Sequence, residues 1–356
     1  VSVLVAVAIL SGPSAFADGE RRPLYRGTRA SAMGGAFIAL ADDEQAIFMN
    51  PAGMAGIKNF TFNYAAVDTE ISSDLVLTAL TGAATLSSFN AGTLNEFMGK
   101  NLYGHVQINP SIVMPNFGFS FLSDHQFSFT ERNQANPRLN LGYQSTNGIQ
   151  MAFGTSVLGK KSKKSDLRIG IGAKMMWRRG GYHELGFLDI LALSQDPMGY
   201  IQKLNGNYGV GYGVDLGTQY LYNASKRLTL STALVMTDIG DTNFASPTAE
   251  MQKSSLTFGV GASYKLSKSR FNFAYDLRNL NTDQEFRKKS HLGVELILPF
   301  VSFQAGVYQM ALTYGATFDL WIFRITAASY AEEQGVLATQ NPERRYALRF
   351  ALKIGF

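Results

Sequence analysis

Among the side chains able to bind a metal or move a proton near neutral pH, the four histidines of this 356-residue chain come first: His105, His125, His183 and His291. They are scattered, and none pairs with another at metal-ligand spacing. His183-Glu184 lacks the second histidine that a zinc-protease helix places one turn further on. Gly209, Gly211 and Gly213 alternate inside a strand pattern and do not open a helix, so they do not read as a phosphate-cradling loop. The chain has no Gly-x-Ser-x-Gly elbow and no Walker segment. With no cysteine, thiolate metal sites, cysteine nucleophiles and disulfides are excluded together. The reading is a non-enzyme, with no cofactor and no metal expected.

Charge offers little more. The net +5 is spread along the chain, and the run Lys160, Lys161, Lys163 and Lys164 reads as a solvated turn; no nucleic-acid partner is expected. The paired carboxylates Asp42 and Asp43 lie in a Gly- and Ala-rich stretch from Tyr25 to Gly56. Carboxylates in a confined place need cations or water, because burying one unpaired is costly.

The elements that would position these groups are strands. Leu167, Ile169, Ile171, Ala173, Met175 and Trp177 alternate with Arg168, Gly170, Gly172, Lys174 and Arg178; Tyr208, Val210, Tyr212, Val214, Leu216 and Tyr220 alternate with glycines, Asp215 and Gln219. Successive strand side chains point to opposite faces, so each segment has one apolar face and one of small, polar or charged residues. A soluble sandwich would bury the apolar face. A transmembrane barrel turns it to lipid and gives the polar face to a wet lumen, which suits the mixture of Gly, Gln and charge found here. Tyr208, Tyr220, Trp177, Trp321, Tyr330 and Tyr346 would then form aromatic girdles. Open edges cannot sit in hydrocarbon, so the sheet must close. The expected fold is an all-β transmembrane antiparallel β-barrel.

Sixteen alternating runs follow Phe60, but Phe117 to Phe129 and Leu139 to Phe153 each keep phase through their gap. Merging both gives fourteen strands. Asn147-Gly148, a strong hairpin signal, weighs against the second merger, so sixteen stays open. Short connections (Pro115, 160–165, 223–227, 267–270, Pro299) fall at one end and long ones (68–103, 179–206, 239–252, 279–288, 331–344) at the other, as brief periplasmic turns and longer outer loops would.

The apolar run Val1 to Leu10 followed by Ala15-Phe16-Ala17 reads as a signal peptide, residues 1–17, cleaved after Ala17; no Lys or Arg precedes the run, which points to an upstream start. About ten residues cannot span a bilayer as a helix, which takes about twenty. The domain reading is 18–57 as an inner plug and 58–356 as the barrel. Expected surroundings are outer-membrane lipid and lipopolysaccharide.

Between signal and first strand, Met33-Gly34-Gly35-Ala36-Phe37, Ala41-Asp42-Asp43 and Asn50-Pro51-Ala52-Gly53 resemble, in order and near spacing, the N-terminal hatch of the FadL-type outer-membrane transporter superfamily, which includes fatty acid and aromatic hydrocarbon channels and PorV-like proteins. The resemblance implies a fourteen-stranded barrel plugged by a hatch that includes Gly34, Gly35, Asp42, Asp43, Asn50 and Pro51. It implies capture of a hydrophobic small-molecule ligand outside and its passive release sideways through the wall. The closing strand, Tyr346 to Phe356, is similar to the signal read by the barrel assembly machinery.

Two outer segments, 179–206 and Leu75 to Leu86, carry apolar residues near helical spacing, and such a face must be buried against the rim or a ligand. Phe187, Leu188, Leu191, Met198 and Tyr200 are the candidate ligand contacts. Pro110 cannot donate to a sheet ladder, so local loss of pairing is expected there, as a candidate lateral exit. The alternative function is a PorV-like anchor whose outer loops bind a protein partner. A general diffusion porin is disfavoured, because a hatch would block a water-filled pore.

Overall fold

The computed structural model describes residues 22–80, 98–132, 138–158 and 164–355. The proposed signal peptide, part of the Leu75 to Leu86 segment, Lys160 to Lys163 and Phe356 lie outside them. Along the strand segments, residues of one parity are apolar and those of the other small or polar, and the chain pairs accordingly. The strands are β1 Thr61–Ser72, β2 Asn101–Ile108, β3 Ser111–Met114, β4 Phe117–Arg132, β5 Arg138–Ser156, β6 Ser165–Arg179, β7 Tyr182–Leu185 and β8 Gly209–Asn223. There follow β9 Leu228–Thr237, β10 Ser255–Lys265, β11 Arg270–Leu277, β12 Ser290–Ile297, β13 Val301–Tyr308, β14 Ala311–Leu320, β15 Phe323–Glu333 and β16 Pro342–Gly355.

Each strand pairs antiparallel with its neighbours, and β16 returns to β1, so the sheet closes. β2 and β3 lie end to end against β4 in one register (Ile108 opposite Ser123, Ser111 opposite Ser120). β6 and β7 do the same against β5 (Arg179 opposite Ser145, Tyr182 opposite Gly142). The wall therefore has fourteen strand positions. Both in-phase mergers hold. Asn147-Gly148 runs straight through the middle of β5, paired to Ser123 and Leu122 on one side and Trp177 and Met176 on the other. A reversal there would strip backbone bonds from both neighbours, and the ladder outweighs the local turn preference.

The barrel is inside-out relative to a soluble protein. On β8, Tyr212 is 69% exposed and Leu216 49%, whereas Asp215 between them is 1% exposed. Ile171, Phe153 and Phe303 also face outward, and Gln150, Lys174, Gln219, Glu295, Gln304 and Arg349 face in. This is the surface of a membrane-spanning barrel. No helix among the described residues is long and apolar enough to cross a membrane.

Tyr330 departs from the expected girdle. It shares the lumen-facing parity of Arg324 and Thr326, and its fully buried ring gives its hydroxyl to Glu70 at 2.9 Å. Parity overrides the preference of tyrosine for an interface. The short turns, including Trp321-Ile322, do gather at one end and most long connections at the other. At the long-loop end β13 and β14 are an exception, joined by a tight turn in which Gln309 and Met310 both have positive φ (49° and 72°).

Candidate functional site

Residues 22–57 lie inside the barrel and supply most of its apolar core. Phe37, Ile47 and Met54 are fully buried against one another and against Val113 and Ala152 of the wall. The local structures are short: α1 Thr28–Ala32, α2 Ala46–Met49 and a 3₁₀ turn Pro51–Gly56. Such pieces are too short to be stable alone, so the wall must hold them.

It does so through two glycine-rich patches. Gly154, Gly170 and Gly217 stand side by side across β5, β6 and β8, and the Pro51–Ala52 peptide rests on them. Gly293, paired with Gly306, and Gly315 on β14 receive Ala32 to Gly34 on another part of the wall. A Cβ at Gly154, Gly170, Gly293 or Gly306 would collide with the backbone of the inner segment, one at Gly217 with the Asn50 side chain and the Pro51 ring, and one at Gly315 with Ala32 Cβ. Gly34 and Gly35 also turn the chain through φ of 64° and 83°, a left-handed conformation that glycine adopts at little cost.

The Asn50-Pro51 pair has a definite local task. The Asn50 side-chain oxygen accepts the Ala52 N–H at 3.1 Å and starts the 3₁₀ turn, while its amide donates to the Ile38 carbonyl at 2.9 Å. Pro51 occupies the first position, where no N–H is missed. Wall side chains take up further backbone groups. Asp276 accepts from Phe37 and Ile38 N–H (2.7 and 3.1 Å), Gln150 donates to the Ile47 carbonyl, Gln219 to that of Ala39 and Thr313 to that of Ala32.

The acidic triplet is fully partnered. Asp42 pairs with Arg29 at 3.0 Å and with Arg270 of β11 at 2.8 Å; Asp43 pairs with Arg29 at 2.8 Å. Glu44 accepts from Arg324 at 3.1 Å and from Arg349 at 3.5 Å. Burial pushes the Asp43 carboxyl up to about 6, with the Glu44 charge adding to it. Burial acts on Glu44 in the same direction, but Arg324 and Arg349 outweigh it and hold that carboxyl at about 2. The expected lumen cations have other tasks as well: Lys174 bridges Asp215 and Asp238, both at 2.9 Å, Arg168 binds Asp166 at 2.8 Å, and Lys353 binds Asp319. No cluster of three or more potential metal ligands occurs among the described residues.

Between the inner segment and the long-loop end lies a cavity of about 420 Å³. Ile38, Phe48, Met49 and Val235 give it an apolar side, and Lys174, Arg178, Arg278 and Asp238 a charged one. The Arg178 bonds to Thr146, the Glu250 carbonyl and Gln252 (2.9, 3.0 and 2.9 Å) all end on neutral oxygens, and Arg278 donates to the Gly35 carbonyl. A second cavity of about 310 Å³, lined by Asn101, Thr130 and Glu184, shares Arg22, Tyr182 and Gln334 with the first. At that junction Arg22 stacks on Tyr182 at 3.8 Å.

The outer helices α3 Phe187–Gln195 and α4 Pro197–Asn205 pack Ile190, Leu193, Ile201 and Leu204 onto Leu139, Leu141 and Leu185. Tyr200 joins that cluster, and its hydroxyl donates to Asp189 at 2.9 Å. Leu188 and Leu191 are exposed (76% and 48%) and line neither cavity. The side chains of Phe187 and Met198 lie outside the described set. Pro110 sits at the interruption between β2 and β3, its carbonyl accepting the Phe121 N–H at 3.1 Å.

Sequence reasoning reached the inner segment and several lumen cations but not Arg29, Asp276, Arg278 or Arg324. Asp276 and Arg324 lie on the inward parity of their strands and Arg278 follows β11 by one residue in the same phase, so the alternation carried that much of the signal.

No protein-family model and no curated protein matches this chain. Among solved structures it is similar to CymD, a monoaromatic hydrocarbon channel, at 10% identity over 95% of this chain and 99% of that one, with a TM-score of 0.46. It is likewise similar to the Pseudomonas putida toluene transporter TodX, at 12% identity over 95% and 99% of the two chains, with a TM-score of 0.45.

Proposed function

We propose that the protein is an outer-membrane channel that admits small amphiphiles, fatty-acid-like or aromatic with an acidic group, passively from the outside, with residues 22–57 acting as its hatch. The observation that carries this reading is the two-sided cavity above the hatch. Ile38, Phe48, Met49 and Val235 receive an apolar body, while Arg178 and Arg278, whose bonds end on neutral oxygens, attract an anionic head. The interruption at Pro110 is the proposed way out through the wall.

Uptake into proteoliposomes tests it. A labelled medium-chain fatty acid enters saturably, sugars cause no swelling, and Arg178→Gln with Arg278→Gln raises the half-saturating concentration about tenfold, the size of one charge-assisted hydrogen bond. Sugar permeation without fatty acid uptake would overturn the reading.

One observation favours a second reading, that of an anchor for an external protein: Leu188 and Leu191 are exposed on the outer helix and line neither of the two cavities. A stoichiometric partner recovered with the purified barrel, together with absent fatty acid uptake, selects it.

A further inference from the structure

The wall has one composite weak point, and the residues that close it from inside are the same residues that hold the hatch. Between the pairs Asn63–Ser111 and Val67–Ile108, three residues of β1 (Tyr64 to Ala66) face only two, Asn109 and Pro110. On its other edge β1 slips register against β16 between Asn63 and Ala65. A bulge and a residue without an N–H thus coincide at one height. The Asn109 N–H still reaches the Ala66 carbonyl at 2.9 Å, and the Pro110 carbonyl accepts from Phe121 N–H and from Ser120 Oγ at 2.9 Å.

On the lumen side the Asn109 side chain is clasped. Its amide donates to Asp68 Oδ2 at 3.0 Å, and Arg349 Nη1 donates to its Oδ1 at 3.1 Å and to Asp68. Asp68 and Arg349 also face the hatch. Thr28 Oγ1 donates to Asp68 Oδ1 at 2.8 Å, and Arg349 reaches Tyr25 Oη at 3.4 Å and Glu44 Oε1 at 3.5 Å. Arg349, Asp68 and Asn109 are all nearly inaccessible to solvent. The two Nη atoms of Arg349 are held between wall acceptors on one side and hatch acceptors on the other, so the loss of the hatch-side ones frees the guanidinium to turn.

We propose that Asp68 and Arg349 are positioning residues that couple the seat of the hatch to the seam at Asn109–Pro110: with Thr28, Tyr25 and Glu44 in place the seam is shut, and their withdrawal frees Asn109 and loosens it. The proposal rests on reading residues 22–57 as a movable hatch. Its test, however, reads backbone opening and not transport, so a failure of uptake and a failure of coupling are told apart.

The test is hydrogen–deuterium exchange on the intact protein in lipid nanodiscs, comparing the unaltered chain with Thr28→Val and Glu44→Gln. Each substitution removes a hatch-side bond and leaves the wall sequence unchanged. The amides of Asn109 and Phe121 exchange at least tenfold faster in both, while those of β10 and β11 keep their rates. In an Asn109→Leu background, adding Glu44→Gln no longer changes Phe121 exchange. Faster exchange of the hatch amides Phe37 and Ile38 with Asn109 and Phe121 unchanged would overturn the coupling. So would an equal acceleration across β10 and β11, which would mark a loosening of the whole barrel.

Discussion

Arg29 and Glu295 meet as a two-pronged pair, Nε to Oε1 at 2.8 Å and Nη2 to Oε2 at 2.6 Å, one from the inner helix α1 and one from the wall strand β12. Asn272 and Gln304 donate to the same carboxylate at 2.9 and 3.1 Å, and Glu295 is 1% exposed. Most of the apolar core of the barrel lies in residues 22–57, so the wall grips that segment with charge. Removing Glu295 leaves the buried Arg29 with only Asp42 and Asp43.

Glu295→Ala therefore lowers stability by about 3–5 kcal/mol. Adding Arg29→Ala costs less than the sum of the two single changes, because the second removes a cation that has already lost Glu295 and keeps only Asp42 and Asp43. Urea unfolding in detergent micelles, followed by tryptophan fluorescence, checks both values. Full additivity would contradict the pairing.

Gly170 pairs with Gly154 on one side and Gly217 on the other, and a Cβ at Gly170 meets the Pro51–Ala52 peptide. Gly170→Leu leaves the outward face intact but unseats the 3₁₀ turn. The expected outcome is a folded barrel with a hatch open to protease and a conductance in planar bilayers several-fold above that of the unaltered protein. Unchanged conductance and protection would mean that the hatch tolerates the side chain in its present seat.

Leu216 stands at the middle of β8 on the outward face. Leu216→Lys places a charge near the hydrocarbon midplane and lowers stability by about 2–4 kcal/mol in bilayers. Unfolding from lipid vesicles measures it. A neutral result would place this row away from lipid.

Asp43 gives the hatch a pH dependence of definite sign. Its folded carboxyl sits near 6, above its ordinary value, so the protonated form is favoured by folding. Its contribution is fully present below about pH 4 and is lost as the pH rises through 6. Glu44, held near 2, acts oppositely: its contribution is present above about pH 4.5 and lost as the pH falls toward 2. The unaltered protein therefore gains about 1.3 kcal/mol of stability between pH 7 and 5 relative to Asp43→Asn, out of about 3 kcal/mol for the whole shift. Parallel melting curves for the two proteins across that range would refute the assignment.

The sequence alone determined the alternation, and with it a good deal else. Because side-chain direction reverses at every strand residue, local order was enough to assign Tyr212 and Leu216 outward and Asp215, Lys174 and Arg349 inward. The in-phase runs 117–129 and 139–153 were legible as single strands for the same reason, and so was the sorting of most short and long connections to opposite ends. Tyr330 was misjudged only where residue type was preferred over parity.

What the tertiary structure decided is everything that depends on closure. Asp42 meets Arg270 across 228 positions of sequence. Asp68 and Arg349 meet only because β16 returns to β1. The coincidence of the β1 bulge with Pro110 needs the register of both neighbours, and the exposure of Leu188 and Leu191 needs the fold of the outer helices onto β5. A period-two pattern fixes which face a residue takes, a property of one strand. Partners across the lumen are fixed by strand stagger and barrel size, which are properties of the whole closed sheet.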